Sequence, residues 1–225
     1  MTWPARCDEV LPRRADGPVV PWAEFCDPDA EHLRRCAQEW QRRGGFAHRR
    51  AGIVLIAFRA GWLGCCATVP EIHFGLPLPA LSSAGAVLGE GGRLAGLRFG
   101  DPVDDGGDGD RSALWWRETE AFFAPLARGL AAIGGPRADA AELWGNPVGL
   151  IGAVAARLAS AGAPGDLLGT ARALRDATGR AGLLSLRGTG DDWTARRRTC
   201  CQWWRAGGDY CAECVLHDSP ARSDG

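Results

Sequence analysis

The stretch GIVLIAFRAGWLGCCATV, residues 52–69, is apolar enough to be weighed both as a membrane span and as a core helix. Arg59 lies in its middle, and an arginine at the centre of a bilayer costs roughly 2.5–3.5 kcal/mol on the mildest insertion scale. A second apolar stretch, LWGNPVGLIGAVAARL at residues 143–158, is shorter and contains Pro147 and Arg157. We therefore expect two buried helices of a soluble protein and no membrane span.

Helical spacing of apolar residues predicts further helices on both sides of these stretches. Asp27 and Pro28 suit the N-cap and first position of a helix that ends at residues 44–45. The other predicted elements are helices at 47–66, 112–133, 143–161 and 165–178, a hairpin turned by GEGG at 89–92, and a short strand at 183–188. The sequence thus predicts a mainly α fold, of the α+β type with small β-hairpin elements, built as a single helical domain.

Composition limits the classes of function that fit this chain. It has 225 residues, of which 46% are hydrophobic, so a sizeable core can form. The formal net charge is −1, and no basic face or helix-turn-helix motif indicates a nucleic-acid partner. The first 17 residues contain no apolar core of a secretory signal, which favours a cytoplasmic location.

Four of the nine cysteines lie close together in RRRTCCQWWRAGGDYCAECVL, residues 196–216. Cys200 and Cys201 are adjacent, and Cys211 and Cys214 have the i, i+3 spacing that brings two sulfurs to one metal in a tight turn. Because neighbouring residues of an extended segment point to opposite faces, a local turn must direct both Cys200 and Cys201 inward. We divide the chain accordingly into a helical body, 1–190, and a C-terminal cluster-binding segment, 191–225.

Three interpretations of this four-cysteine loop remain open from spacing alone. Four thiolates suit either an iron–sulfur cluster or zinc, although zinc sites normally have a CxxC pair at each end. The third interpretation is that the loop binds no metal; a vicinal disulfide between Cys200 and Cys201 would be one such case, but it needs a strained eight-membered ring and leaves Cys211 and Cys214 unexplained. Nearby arginines, at 196–198 and 205, would stabilise the more negative reduced state of a cluster, or they form a solvated stripe. Trp203, Trp204 and Tyr210 would shield a cluster from water or serve as core anchors.

The cysteine motif resembles the C-terminal signature of the FhuF-like ferric siderophore reductases. That signature has an arginine-rich lead, a CC pair, a stretch with aromatic residues and glycines, and then CxxC followed by Val-Leu. The segments at 143–158 and 62–81 are similar to the WGN helix and an early helix of the same family. Nine residues separate Cys201 from Cys211, one fewer than in that family, and QWW replaces its more usual apolar residue and tyrosines.

The resemblance implies a function. The four cysteines, Cys200, Cys201, Cys211 and Cys214, would bind a [2Fe–2S] cluster that transfers one electron to a ferric siderophore of the hydroxamate type in the cytoplasm. The implied partners are the ferric siderophore and an external electron donor, either a ferredoxin-like protein or a reductase, since no flavin or nicotinamide motif is present. The alternative is a non-catalytic module, stapled by zinc or an iron–sulfur cluster, that binds a siderophore or a protein.

Other polar and sulfur-bearing residues have ordinary structural interpretations. Cys65 and Cys66 are expected to pack as small hydrophobic residues, as are Cys7, Cys26 and Cys36. We expect Asn146 to cap a helix entered at Pro147. The acidic, glycine-rich run at 101–110 lacks the ligand spacing of an EF-hand and is expected to be a surface loop. The sequence assigns no catalytic or substrate-binding residue.

Overall fold

The computed structural model describes residues 3–11, 15–103, 109–206 and 215–218, and these form seven α-helices and five β-strands. The helices are α1 (Trp3–Val10), α2 (Trp22–Cys26), α3 (Glu31–Gly44), α4 (Arg49–His73), α5 (Arg111–Ala132), α6 (Ala141–Ser160) and α7 (Leu167–Ala177). The strands are β1 (Val19–Pro21), β2 (Gly85–Leu88), β3 (Leu94–Arg98), β4 (Leu184–Thr189) and β5 (Asp192–Arg197). This confirms the predicted fold class, mainly α with small antiparallel β elements in one domain.

Helices α4 and α6 pack against each other at the centre of the domain. Their closest approach requires a glycine, because a Cβ atom at Gly61 would lie 3.1 Å from the backbone nitrogen of Pro147. Both apolar stretches are therefore core helices, as predicted. By length and composition alone α4 could cross a membrane, but 83% of its most apolar window is buried inside this structure, which is also the behaviour of a core helix.

Several helix boundaries differ from those predicted. Helix α3 begins at Glu31 because Asp27 does not cap it; its carboxylate instead accepts a hydrogen bond from the amide of Asp29 at 2.8 Å. Helix α4 continues through Pro70 to His73, since its buried face outweighs one missing helical hydrogen bond.

Side-chain caps set the starts of two other helices. Asp166 accepts a hydrogen bond from the amide of Gly169 at 2.7 Å, so α7 begins two residues later than predicted. Asp110 caps α5 through the amides of Ser112 and Ala113. It is the last residue of the predicted acidic loop, of which residues 104–108 lie outside the described ranges.

The strands form two small antiparallel sheets, β1-β2-β3 and β4-β5. The predicted turn at 89–92 connects β2 to β3, and its Gly91 and Gly92 have φ angles of 69° and 79°. The second hairpin pairs Leu184 with Arg197 and turns at residues 190–191, where the two predicted segments of the chain meet. Only β4 was predicted, because the arginines of β5 give it no alternation of apolar and polar residues.

Candidate metal centre

Helix α6 carries the strand that leads to the first cysteine pair. Its glycines at 145, 149 and 152 share one face of the helix, and β5 lies against that face. A Cβ atom at Gly145 would lie 1.9 Å from Oγ1 of Thr199, and one at Gly149 would lie 2.9 Å from Cγ of Arg197. The absence of side chains at these glycines therefore lets the segment before Cys200 approach the helix backbone.

Arg197 is the buried cation of this site, with 1% of its surface exposed. Its Nη2 donates a hydrogen bond to Oδ1 of Asn146 at 2.6 Å, and its guanidinium carbon lies 5.3 Å from the ring centroid of Phe58. Within the described ranges, Nε and Nη1 of this guanidinium have no hydrogen-bond partner. A buried positive charge with unused donors requires nearby negative charge or strong acceptors to offset its loss of hydration.

The prediction that Asn146 caps a helix is wrong. Asn146 lies inside α6 and holds Arg197 from there. The helix begins at Ala141, and Asn146 is fully buried in its second turn. Its Nδ2 donates to the carbonyls of Glu142 at 2.9 Å and Leu143 at 3.2 Å. Because Pro147 has no N–H to bond the Leu143 carbonyl, this side-chain amide replaces the missing helical donor. The same amide group thus repairs the helix and orients Arg197.

The first cysteine pair lies directly after β5. Cys201 is 3% exposed and Cys200 is half-buried. Gln202 has a φ of 66°, and its amide donates a hydrogen bond to Sγ of Cys200 at 3.3 Å. The chain therefore turns directly after the pair, and amide–sulfur hydrogen bonds are one of the features that stabilise thiolates at iron–sulfur centres. That both sulfurs are directed to one centre stays a prediction.

The second cysteine pair, Cys211 and Cys214, and also Tyr210 lie outside the described residues. The convergence of all four sulfurs on one centre therefore stays a prediction. Within the part of the chain that is described, no group of three or more His, Cys, Asp or Glu side chains is placed to hold a metal ion. The described half of the loop fits a thiolate-ligated centre: it offers a sulfur with an amide donor, a buried thiol, and a buried cation with free donors three residues earlier.

The four arginines near the loop differ in position. Arg198 and Arg205 are exposed, and the guanidinium of Arg205 lies 4.9 Å from the ring of Trp204. Arg196 is half-buried. Of these four arginines only Arg197 is fully buried. The solvated-stripe interpretation therefore holds for Arg198 and Arg205 and fails for Arg197. Sequence reasoning treated these residues alike and missed Arg197, whose inward position follows from sharing a face of β5 with Ala195.

The second vicinal pair has the packing role predicted for it. Cys65 and Cys66 are buried, and Sγ of Cys65 donates a hydrogen bond to the carbonyl of Pro147 at 3.3 Å. Burial raises the pKa of the Cys65 thiol far above its usual range, and it raises the pKa of Cys36 to about 12. Within the described residues these cysteines belong to no group of three or more His, Cys, Asp or Glu side chains that could hold a metal ion.

Comparisons with protein-family models, with curated proteins and with solved structures find no match to this chain. The resemblance to the FhuF-like reductases therefore depends on the sequence motifs described above.

Proposed function

We propose that this chain is a [2Fe–2S] protein that transfers one electron to a ferric siderophore and so releases its iron in the cytoplasm. Cys200, Cys201, Cys211 and Cys214 would hold the cluster. The observation that carries the proposal is the position of Arg197, a buried guanidinium whose Nε and Nη1 are unpartnered within the described residues. It lies three residues along the chain before a thiol pair, of which Cys200 already accepts an amide hydrogen bond.

Charge explains why these features belong together. Four thiolates and a cluster carry net negative charge, which is costly to bury without compensation. A guanidinium offers fixed positive charge and five donors in a rigid fork, and it stays protonated when buried. Asn146 holds this fork in place through Oδ1, and Nε and Nη1 have no hydrogen-bond partner within the described residues, so they would be able to donate to the sulfurs of the proposed centre. Arg197 would therefore stabilise the thiolate-rich centre and favour its reduced form.

The electron balance involves one donor and one acceptor. The four cysteines would hold a [2Fe–2S] cluster, which would supply one-electron chemistry: an external donor of the ferredoxin-like class would give one electron, and the chelated iron would receive it. Ferric iron becomes ferrous, and the hard oxygen ligands of the siderophore hold the ferrous ion less tightly. No bond to the protein forms or breaks in this step, so the described residues act by binding, positioning and charge.

Anaerobic purification followed by iron and acid-labile sulfide analysis tests this proposal. We expect equal amounts of iron and sulfide, a brown protein whose visible absorption bleaches with dithionite, and an EPR signal from the reduced protein. Mixing the reduced protein with a ferric siderophore should restore the visible absorption while ferrous iron is trapped by a colorimetric chelator. A colourless protein that contains zinc would contradict the proposal and favour the non-catalytic, metal-stapled module.

A further inference from the structure

A cavity of about 510 Å³ lies between α3, α4 and β3. Its volume is in the range of small-molecule sites. Three aromatic side chains and two arginines provide most of its lining: Trp40, Phe58, Arg59, Trp62 and Arg93. The 3-10 turn Trp203–Ala206, which follows Cys201 closely, packs against the same two helices.

Phe58 connects this cavity to the candidate metal centre. Its ring lines the cavity and also lies 5.3 Å from the guanidinium carbon of Arg197. Arg197 is three residues from Cys200 along the chain. A ligand in the cavity would therefore be separated from the buried cation of the centre by one aromatic ring.

The charge inside the cavity is positive. Arg59 donates hydrogen bonds to the carbonyls of Leu94 and Ala95, which are neutral acceptors. Burial lowers the pKa of its guanidinium, the neighbouring Cys66 thiol raises that pKa, and the nearby positive charge of Arg93 lowers it. No carboxylate is among the residues that line the cavity in the described ranges. The two guanidinium groups thus repel each other in a partly apolar space, which an anionic ligand would relieve.

Nearby carboxylates are already engaged by other arginines. Glu39 accepts hydrogen bonds from Arg42 at 2.8 Å and from Arg43 at 2.6 Å, which hold the pKa of Glu39 at about 2. Glu90 pairs with Arg43. These two acids are consequently not available to neutralise Arg59 and Arg93.

A third feature of the cavity is its aromatic surface. The indole Nε1 of Trp40 is buried and has no hydrogen-bond partner among the described residues, although Trp40 lines the cavity. The guanidinium carbon of Arg93 lies 6.0 Å from the ring centroid of Trp40. An aromatic ligand would stack on the rings that line the cavity.

We infer that this cavity binds the ferric chelate, and that the preferred chelate is anionic and aromatic, of the tris-catecholate class. The inference rests on the proposed function for the identity of the ligand as a siderophore. It departs from the hydroxamate class that the sequence resemblance implies, since a ferric tris-hydroxamate is neutral or cationic while a ferric tris-catecholate is trianionic. Two guanidinium groups and three aromatic rings complement the trianionic, aromatic catecholate chelate and not the neutral or cationic hydroxamate chelate.

Gallium(III) chelates test binding without electron transfer, because gallium matches ferric iron in charge and is not reduced under these conditions. The full-length protein is titrated calorimetrically with a gallium tris-catecholate and a gallium tris-hydroxamate of the same denticity. We expect the catecholate to bind at least roughly tenfold more tightly, and Arg93→Met and Trp62→Ala each to weaken it by roughly tenfold. Arg59→Met is less suitable because it also removes two hydrogen bonds to β3.

Arg128→Met is the matched control, since Arg128 is exposed on α5 and does not line the cavity. It should leave both affinities unchanged. Equal or tighter binding of the hydroxamate, or catecholate binding that survives Arg93→Met, would overturn the inference. If gallium catecholate binds as expected but the protein holds no cluster, the reductase proposal alone fails. If the cluster is present and reduces only hydroxamates, this inference alone fails.

Discussion

Nη2 of Arg197 donates a hydrogen bond to Oδ1 of Asn146 at 2.6 Å, which joins β5 to the interior of α6. The two residues are far apart in sequence, and both are buried. Asn146 uses its amide nitrogen to repair α6 at Pro147 and its amide oxygen to hold Arg197. The start of the cysteine loop is therefore fixed to the central helix by one side chain that has two functions.

A double-mutant cycle on this pair tests the coupling between helix and strand. We expect Asn146→Ala to lower the free energy of unfolding by roughly 1.5–3 kcal/mol, because it leaves a buried guanidinium and a helical carbonyl without partners. Arg197→Met removes the charge that needs the acceptor. In that background the loss of unfolding free energy caused by Asn146→Ala should be smaller by roughly 0.5–3 kcal/mol, which is the interaction energy of the pair. Urea denaturation followed by circular dichroism measures all four proteins. Strictly additive losses would show that the two side chains do not support each other.

The charge of Arg197 is expected to raise the reduction potential of the bound cluster. Arg197→Met removes positive charge near the site and should lower the midpoint potential by tens of millivolts, where ~59 mV corresponds to a tenfold change in a one-electron equilibrium. Arg197→Lys keeps the charge and should retain most of the potential. EPR-monitored redox titration measures these shifts.

Arg198→Met is the control for this titration, because Arg198 carries the same charge one residue later but is exposed to solvent. Solvent screens an exposed charge, so its removal should shift the potential much less. Equal shifts for the variants at 197 and 198 would mean that burial of Arg197 does not matter to the centre.

Much of the helical body could be predicted from the sequence, because long apolar stretches with helical spacing have few other ways to be buried. The two core helices and the hairpin at 89–92 are examples. Boundaries were less predictable where tertiary contacts override local signals. Pro70 should end a helix by local rules, yet α4 continues past it, and Asp27 uses its carboxylate in a turn instead of a cap.

The sequence predicts candidate ligands for the site but not the surroundings that the structure gives to the first pair. Clustered thiols are recognisable from spacing, but the partner of a buried arginine depends on which residues the fold brings together. Arg197 and Asn146 are 51 positions apart, and neither position has a local signal that distinguishes it from a surface arginine or a helix cap. The glycine face of α6 also has no recognisable signal in the sequence, because its role depends on the packing of β5 against it.

Steric substitutions on this glycine face should displace the segment before Cys200. Gly145→Ala places a methyl group 1.9 Å from Oγ1 and 2.8 Å from Cβ of Thr199, so rotation of the hydroxyl alone cannot relieve the clash. We expect roughly 1–3 kcal/mol of destabilisation and a reduced yield of cluster-loaded protein. Thermal melts and the ratio of visible to protein absorption measure the two effects.

Gly64→Ala provides the matched control for this substitution. Gly64 also lies within a central helix, but its added Cβ would have only an ordinary 3.6 Å contact with Phe122. Alanine is favoured over glycine in a helix by about 1 kcal/mol, so this variant should be as stable as the native chain or more so, with normal cluster content. Full cluster loading in Gly145→Ala would contradict the role given to the glycine face.

Serine substitutions distinguish cluster ligands from packing cysteines. Single changes to serine at Cys200, Cys201, Cys211 and Cys214 should each abolish or reshape the visible absorption and the EPR signal, because an alkoxide is a much poorer ligand for the cluster than a thiolate. Cys65→Ser is the control, because its hydroxyl can still donate to the Pro147 carbonyl and because burial raises the pKa of the native thiol. We expect this variant to keep both spectra unchanged. Loss of the signal in Cys65→Ser at native stability, together with its survival in Cys200→Ser, would move the metal centre to the core of the helical body.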